Sequence, residues 1–165
     1  MKKTNLKSIF YPDYIAASVL EISIEELQKI NITHLVFDID EPVVPKRHNK
    51  LTDEYIEFLQ HLEEKEFILL IGSNTRRDLS EITQHIKSRV VKPSHLSFKP
   101  LKKYYQKIID ATGTTPDHIA MVGDKLLNDV IGANYAGLTS ILVEPYARQQ
   151  KIHHRVYFKR ALRKS

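Results

Sequence analysis

The 165-residue chain contains no cysteine. That excludes disulfides, Cys-ligated zinc and iron–sulfur clusters. It also excludes every thiol-nucleophile mechanism, the cysteine type of phosphatase included. Long apolar runs are missing too. The longest covers residues 67–71, far short of the ~20 residues of a membrane span. The basic N-terminal stretch is followed by no apolar run of about 7–15 residues, so no secretory leader is expected. No internal repeat or low-complexity segment appears, and the eight histidines show no metal-ligand spacing.

What is present is ordinary globular composition, 42% apolar and 27% charged, in a length that suits one domain. The net charge of +5 is uneven. Seven Lys or Arg and no acid lie in residues 148–165, so the rest of the chain is net −2. The expected organisation is a catalytic domain over residues 1–147, with residues 1–32 an N-terminal helical segment packed on it. Residues 148–165 then form a basic tail or helix. Ile152, Val156, Tyr157, Phe158 and Leu162 interleave with its cations. Such a segment can pack on the core or lie on an anionic membrane; nucleic-acid contact is less favoured.

Short apolar runs alternate with helical patterns. Strands are expected at residues 34–37, 67–71, 90–91, 119–122 and 139–143. Helices are expected from Ser23 as N-cap through Lys29, over 52–65, over 76–86, from Pro100 to about Ala111, and over 126–136. Strands alternating with helices indicate a parallel sheet in an α/β layered fold.

Ligands of such sheets bind at the carboxyl ends of the strands. The polar residues just past the strands are Asp38-Ile39-Asp40, Gly72-Ser73-Asn74, Lys99-Pro100 and Gly123-Asp124, with Asp129 five residues on. Clustered carboxylates need a cation, and an oxygen-only donor set selects Mg²⁺. A lysine facing the same point favours a phosphate dianion. An Asp beside Mg²⁺ can be a nucleophile, and a second acid two residues on can move the protons.

These pieces, Phe37-Asp38-Ile39-Asp40, Ser73-Asn74, Lys99-Pro100 and Gly123-Asp124-Lys125-Leu126-Leu127-Asn128-Asp129, resemble the four motifs of the haloacid dehalogenase (HAD) superfamily. Receiver domains use similar residues, but there the lysine comes last; here it precedes the final acids. The Phe10-Tyr11-Pro12-Asp13 opening and Phe98-Lys99-Pro100-Leu101 extend the resemblance to the YqeG-type branch, which includes the mitochondrial-type phosphatidylglycerophosphate phosphatases.

The resemblance implies a three-layer Rossmann-like HAD fold and an Mg²⁺-dependent phosphomonoesterase working through an aspartyl-phosphate. It implies Asp38 as nucleophile and Asp40 as general acid/base. Ser73, Asn74 and Lys99 would bind substrate, and Asp38, Asp40, Asp124 and Asp129 would surround the metal. The spacings from Asp40 to Ser73 and from Ser73 to Lys99 leave no room for a cap domain. An open site suits a large phosphorylated substrate, such as phosphatidylglycerophosphate at a membrane. The expected location is cytoplasmic, with the tail peripheral to the inner face of the membrane. One departure stands out. The family reads Asp-x-Asp-Asn-Thr, whereas this chain reads Asp38-Ile39-Asp40-Glu41-Pro42. The alternative reading is therefore a degenerate HAD-like module that binds without turnover.

Overall fold

A computed structural model describes residues 6–149 and 158–161 of the chain. A seven-stranded sheet runs through it in the order β4-β3-β2-β5-β6-β1-β7. The strands are β1 (Tyr14–Ala16), β2 (His34–Phe37), β3 (Ile68–Gly72), β4 (Arg89–Val91), β5 (Ile119–Gly123), β6 (Thr139–Val143) and β7 (Phe158–Arg160). All neighbours pair in parallel except β7, which runs antiparallel to β1.

The central strands carry apolar side chains to both faces, as a sheet covered on two sides requires. Leu35, Phe37, Leu69, Ile71, Ala120 and Val122 join one buried cluster, which also takes Leu27 of helix α1 (Ile24–Lys29) and Leu59 and Leu62 of α2 (Asp53–Glu64). Val36, Leu70, Ile119 and Met121 join a second cluster with Tyr104, Tyr105 and Ile108 of α4 (Lys102–Thr112). Helix α3 (Ser80–Thr83) follows β3, and α5 (Gly132–Ala136) precedes β6. The result is the expected three-layer α/β fold, and no separate cap is present among the described residues.

Several local expectations hold in detail. Ser23 Oγ accepts the Glu26 N–H at 3.2 Å and caps α1. The Glu26 carboxylate, three residues on, does not reach back to the Ser23 N–H in a capping box but takes Lys29 at 3.0 Å. Gly137 ends α5 with φ +88°, a left-handed position that glycine fills without strain.

Other expectations need correction. The helix expected over 76–86 shrinks to Ser80–Thr83, because Asp78 accepts the Ser80 N–H and hydroxyl and Arg77 is drawn into the site. Pro100 lies before α4, whose N-cap is Leu101. Within the basic tail, Phe158–Arg160 is a sheet strand and not part of a helix. Lys151, Arg155, Arg163 and Lys164 lie outside the described residues.

The order of strands fixes where function can sit. From β2 the chain winds outward to β3 and β4, and from β5 it winds the other way to β6. The reversal opens a crevice beyond the carboxyl ends of β2 and β5, where open α/β sheets bind ligands.

Candidate active site

Asp38 is the first residue past β2 and Asp124 the first past β5. The Asp38 N–H donates to the Val122 carbonyl at 2.9 Å, so the sheet register carries on to Asp38. The Asp38 side chain is buried. Its Oδ1 accepts the Ile39 N–H at 3.0 Å and lies 3.1 Å from Lys99 Nζ. Its Oδ2 lies 3.3 Å from Lys125 Nζ.

Asp129 returns to the same point by an unusual route. Residues Leu126–Ile131 form a π-helical turn, in which the Val130 N–H reaches back to the Lys125 carbonyl. Such widened turns recur at functional sites. The turn buries Asp129 against β5, with Oδ1 2.6 Å from Lys99 Nζ and Oδ2 accepting the Lys125 N–H at 3.0 Å. The approach is so close that a Cβ on Gly123 would collide with the Asp129 side chain.

Lys99 is itself almost wholly buried, and two acids hold its ammonium. Its backbone is clamped by Asn74, whose Nδ2 donates to the Lys99 carbonyl at 3.0 Å while Oδ1 accepts the Lys99 N–H at 2.8 Å. Asn74 lines the cavity, and both ends of its amide bond the Lys99 backbone. Ser73 follows β3, where its hydroxyl accepts the Thr75 N–H at 3.3 Å and its carbonyl accepts the Tyr104 hydroxyl at 3.1 Å.

Carboxylate oxygens of Asp38, Asp124 and Asp129 all lie within 4.8 Å of one another. Burial pushes the Asp124 and Asp129 carboxyls above their ordinary range, and the Asp38 charge adds to the shift at both. Lys125 shows how strongly this group calls for a cation. Burial alone would lower its pKa, but Asp38, Asp124 and Asp129 outweigh that and hold it protonated. Its Nζ lies 3.3 Å from both Asp38 Oδ2 and Asp124 Oδ1. The donor set is all oxygen and fits Mg²⁺.

Asp40 departs from its expected place beside the metal. It is not in the group of three; its Oδ1 takes the Arg77 guanidinium at 2.5 Å and the Arg47 N–H at 3.1 Å. Arg77 also donates to Asn49 Oδ1 at 2.6 Å and to the His48 carbonyl at 2.8 Å, tying residues 40–49 to the loop after β3. Neither Arg77 nor Lys125 stood out in the sequence. Lys125 could have been found by its place between Asp124 and Asp129. Arg77 gave no signal, because its partners lie 28 to 37 residues away.

Glu41 and Pro42 have structural roles. Glu41 adopts φ +85°, its N–H donates to the Val44 carbonyl at 2.8 Å, and its carboxylate accepts the Lys46 N–H at 3.3 Å. The Pro42 carbonyl accepts the Tyr55 hydroxyl at 3.3 Å. These contacts fold the segment into a compact loop beside the site. The cavity measures about 560 Å³ and is open to solvent; its wall includes Asp38, Asp40, Ser73, Arg77, Lys99 and Lys125.

The model of the HAD-hydrolase-like family matches residues 97–155. The chain is similar to the "Probable phosphatase YqeG" of Bacillus subtilis, 24% identical over 143 residues that span 86% of this chain and 81% of that protein. Among solved structures, an uncharacterized protein from Listeria monocytogenes superposes with a TM-score of 0.56 at 17% identity, over 74% of this chain and 97% of that one. A predicted phosphoglycolate phosphatase from Haemophilus somnus superposes with a TM-score of 0.52 at 14% identity, over 75% and 99%. The structural likenesses establish a shared fold.

Proposed function

We propose that this chain, which belongs to the HAD superfamily and is of the YqeG type, is an Mg²⁺-dependent phosphomonoesterase that works through an aspartyl-phosphate on Asp38. One observation carries this reading. A buried carboxylate at the switch point of the sheet is met by two lysine ammoniums and two further carboxylates. Asp38 and Asp124 would hold the metal, with Asp129 as a further ligand or as the support of Lys99. Bound there, Mg²⁺ would neutralise the acids and the charge of the incoming phosphate.

Asp38 attacks phosphorus and the ester P–O bond breaks. Asp40 gives its proton to the leaving oxygen. Asp40 then takes a proton from water, whose oxygen attacks the phosphorus of the aspartyl-phosphate, releasing phosphate and Asp38. Arg77 and the Arg47 N–H occupy Oδ1 of Asp40, which leaves Oδ2 to carry the proton. Lys99 and the Ser73 hydroxyl stabilise the transferred group.

The open site suits a phosphate borne on something large. Phe98 and Leu101 flank Lys99, while Leu126 and Leu127 follow Lys125, and all four apolar side chains are exposed. Exposed apolar groups around two convergent lysines suit a headgroup at a lipid surface. This supports phosphatidylglycerophosphate or a comparable lipid phosphate as substrate. The basic residues of 148–165 would add electrostatic attraction to an anionic inner membrane face.

Turnover of p-nitrophenyl phosphate with and without Mg²⁺, for wild type and Asp38→Asn, is the direct test. The reading expects Mg²⁺-dependent release of nitrophenol that Asp38→Asn reduces to background. Equal rates in the two proteins would overturn it. Phosphatidylglycerophosphate in anionic vesicles should then be turned over with a higher kcat/KM than a soluble glycerol phosphate.

A second reading, binding without turnover, draws support from the Arg77–Asp40 pair. The guanidinium and the Arg47 N–H both engage Oδ1, so Asp40 has partners that compete with a leaving group for its carboxylate. It expects no hydrolysis of the aryl phosphate at any pH.

A further inference from the structure

We infer that Lys46 and Arg47 form a second anion subsite beside the phosphate position, so that the substrate is a phosphomonoester carrying another negatively charged group. The inference rests on the phosphatase reading for the first subsite, and the second follows from the loop after Asp40.

Five cationic side chains line the cavity. Three have acidic partners: Lys99 pairs with Asp38 and Asp129, Lys125 with Asp38 and Asp124, and Arg77 with Asp40. Lys46 and Arg47 are exposed on the same wall, and among the described residues their side chains have no ion-pair or hydrogen-bond partner. Their charge is therefore available to a ligand.

They are not on a loose loop. Val43 and Val44 are buried, and their N–H groups both reach the Ile39 carbonyl. The Lys46 N–H is held by Glu41 and the Arg47 N–H by Asp40. Arg77 fixes the next two residues, His48 and Asn49. Arg47 sits at φ +66°, a left-handed conformation that an arginine backbone adopts at some strain. Strain of this kind, held by surrounding contacts, is characteristic of ligand-facing positions. The backbone is thus fixed while the two long side chains remain unpaired.

The two subsites divide the work by charge. The inner lysines are already matched by acids, and with Mg²⁺ present they serve one phosphate. Among the described residues lining the cavity, a second anion, whether carboxylate, phosphate or phosphodiester, meets free cations at Lys46 and Arg47. In this loop Glu41-Pro42 replaces the family's Asn-Thr, so the departure would mark a change of specificity.

Calorimetry with Mg²⁺ tests this without turnover. The probes are methylphosphonate, with one anionic group, and 3-phosphonopropionate and 4-phosphonobutyrate, which add a carboxylate at two lengths. Wild type should bind at least one of the longer pair about tenfold more tightly than methylphosphonate, the scale of a charge-assisted contact. In Lys46→Ala/Arg47→Ala that ratio should fall toward one. Lys50→Ala, a charge loss in the same loop outside the cavity wall, should keep the wild-type ratio. A wild-type ratio near one, or an equal loss in Lys50→Ala, overturns the inference. Failure of the phosphatase reading shows separately, as a retained binding ratio in a protein that does not hydrolyse p-nitrophenyl phosphate.

Discussion

Each acid of the site is defined by the partner that faces it. Asp38 and Asp129 share Lys99, whereas Asp40 is given to Arg77. The places of Asp38, Ser73 and Asp124 were legible because strand ends can be read from apolar runs, whereas Lys99 lies eight residues past β4 and stood out only by its place before a helix and by the family likeness. The partnership of Asp40 was not legible, since it joins two loops 37 residues apart. Arg77 ties Asp40 to residues 48–49, and replacing it should separate the two readings of the site. If it orients Asp40 for proton transfer, Arg77→Gln should lower kcat by about 10–100-fold and move the pH profile of kcat, with KM changed less. If it ties Asp40 away from the leaving group, the same change should raise turnover from background. Asn74 makes a different prediction. Its amide clamps the backbone on either side of the Lys99 peptide plane, so Asn74→Ala should cost about 1–2 kcal/mol in a denaturant titration. It should also lower activity through a displaced Lys99.

Elements were legible where burial alone decides them, and less so where side chains compete with the backbone. The five expected strands appear nearly as read, because buried parallel strands are continuous apolar runs. The helix after β3 was over-read: Leu79, Ile82 and Ile86 are all buried, but Asp78 caps the chain at Ser80 and delays the helix. The π-helical turn after β5 was read as ordinary helix, since its apolar pattern resembles one. It brings Asp129 against Gly123, where a Cβ would strike the Asp129 side chain. Gly123→Ala should therefore push Asp129 away from Lys99. The expected loss is about 1–3 kcal/mol of stability. The rise in melting temperature on adding Mg²⁺ should also shrink, which thermal unfolding with and without the ion would show. An unchanged Mg²⁺ response would mean that the turn adjusts without moving the acids.

Across the whole molecule the two ends of the sheet carry different work. The carboxyl ends of β2 and β5 gather the acids and lysines, while their amino ends hold His34, beside His118. Strand order was not legible from the sequence. Nothing local says that β1 lies beyond β6, or that Phe158–Arg160 returns antiparallel to cover it. The Phe10-Tyr11-Pro12-Asp13 opening, read only as a family likeness, gains a physical role from that order. Asn134 Nδ2 holds the Tyr11 carbonyl at 2.7 Å, and Asp13 exchanges hydrogen bonds with Ser140. His34 supplies a pH dependence separate from catalysis. Its Nδ1 lies 2.8 Å from Thr33 Oγ1, and its buried Nε2 has no hydrogen-bond partner. Burial, with the nearby His118, lowers its pKa from the ordinary 6.5. Below about that pH the unfolded chain binds a proton that the folded chain resists. Stability is then fully present above the unfolded value and lost as pH falls toward the lowered one. The denaturant midpoint should drop between about pH 7.5 and about pH 5.5. Carboxylates contribute to any such slope, so the comparison is with His34→Gln, which removes the titrating ring and should flatten the drop. Equal slopes in the two proteins would show that His34 carries no part of it.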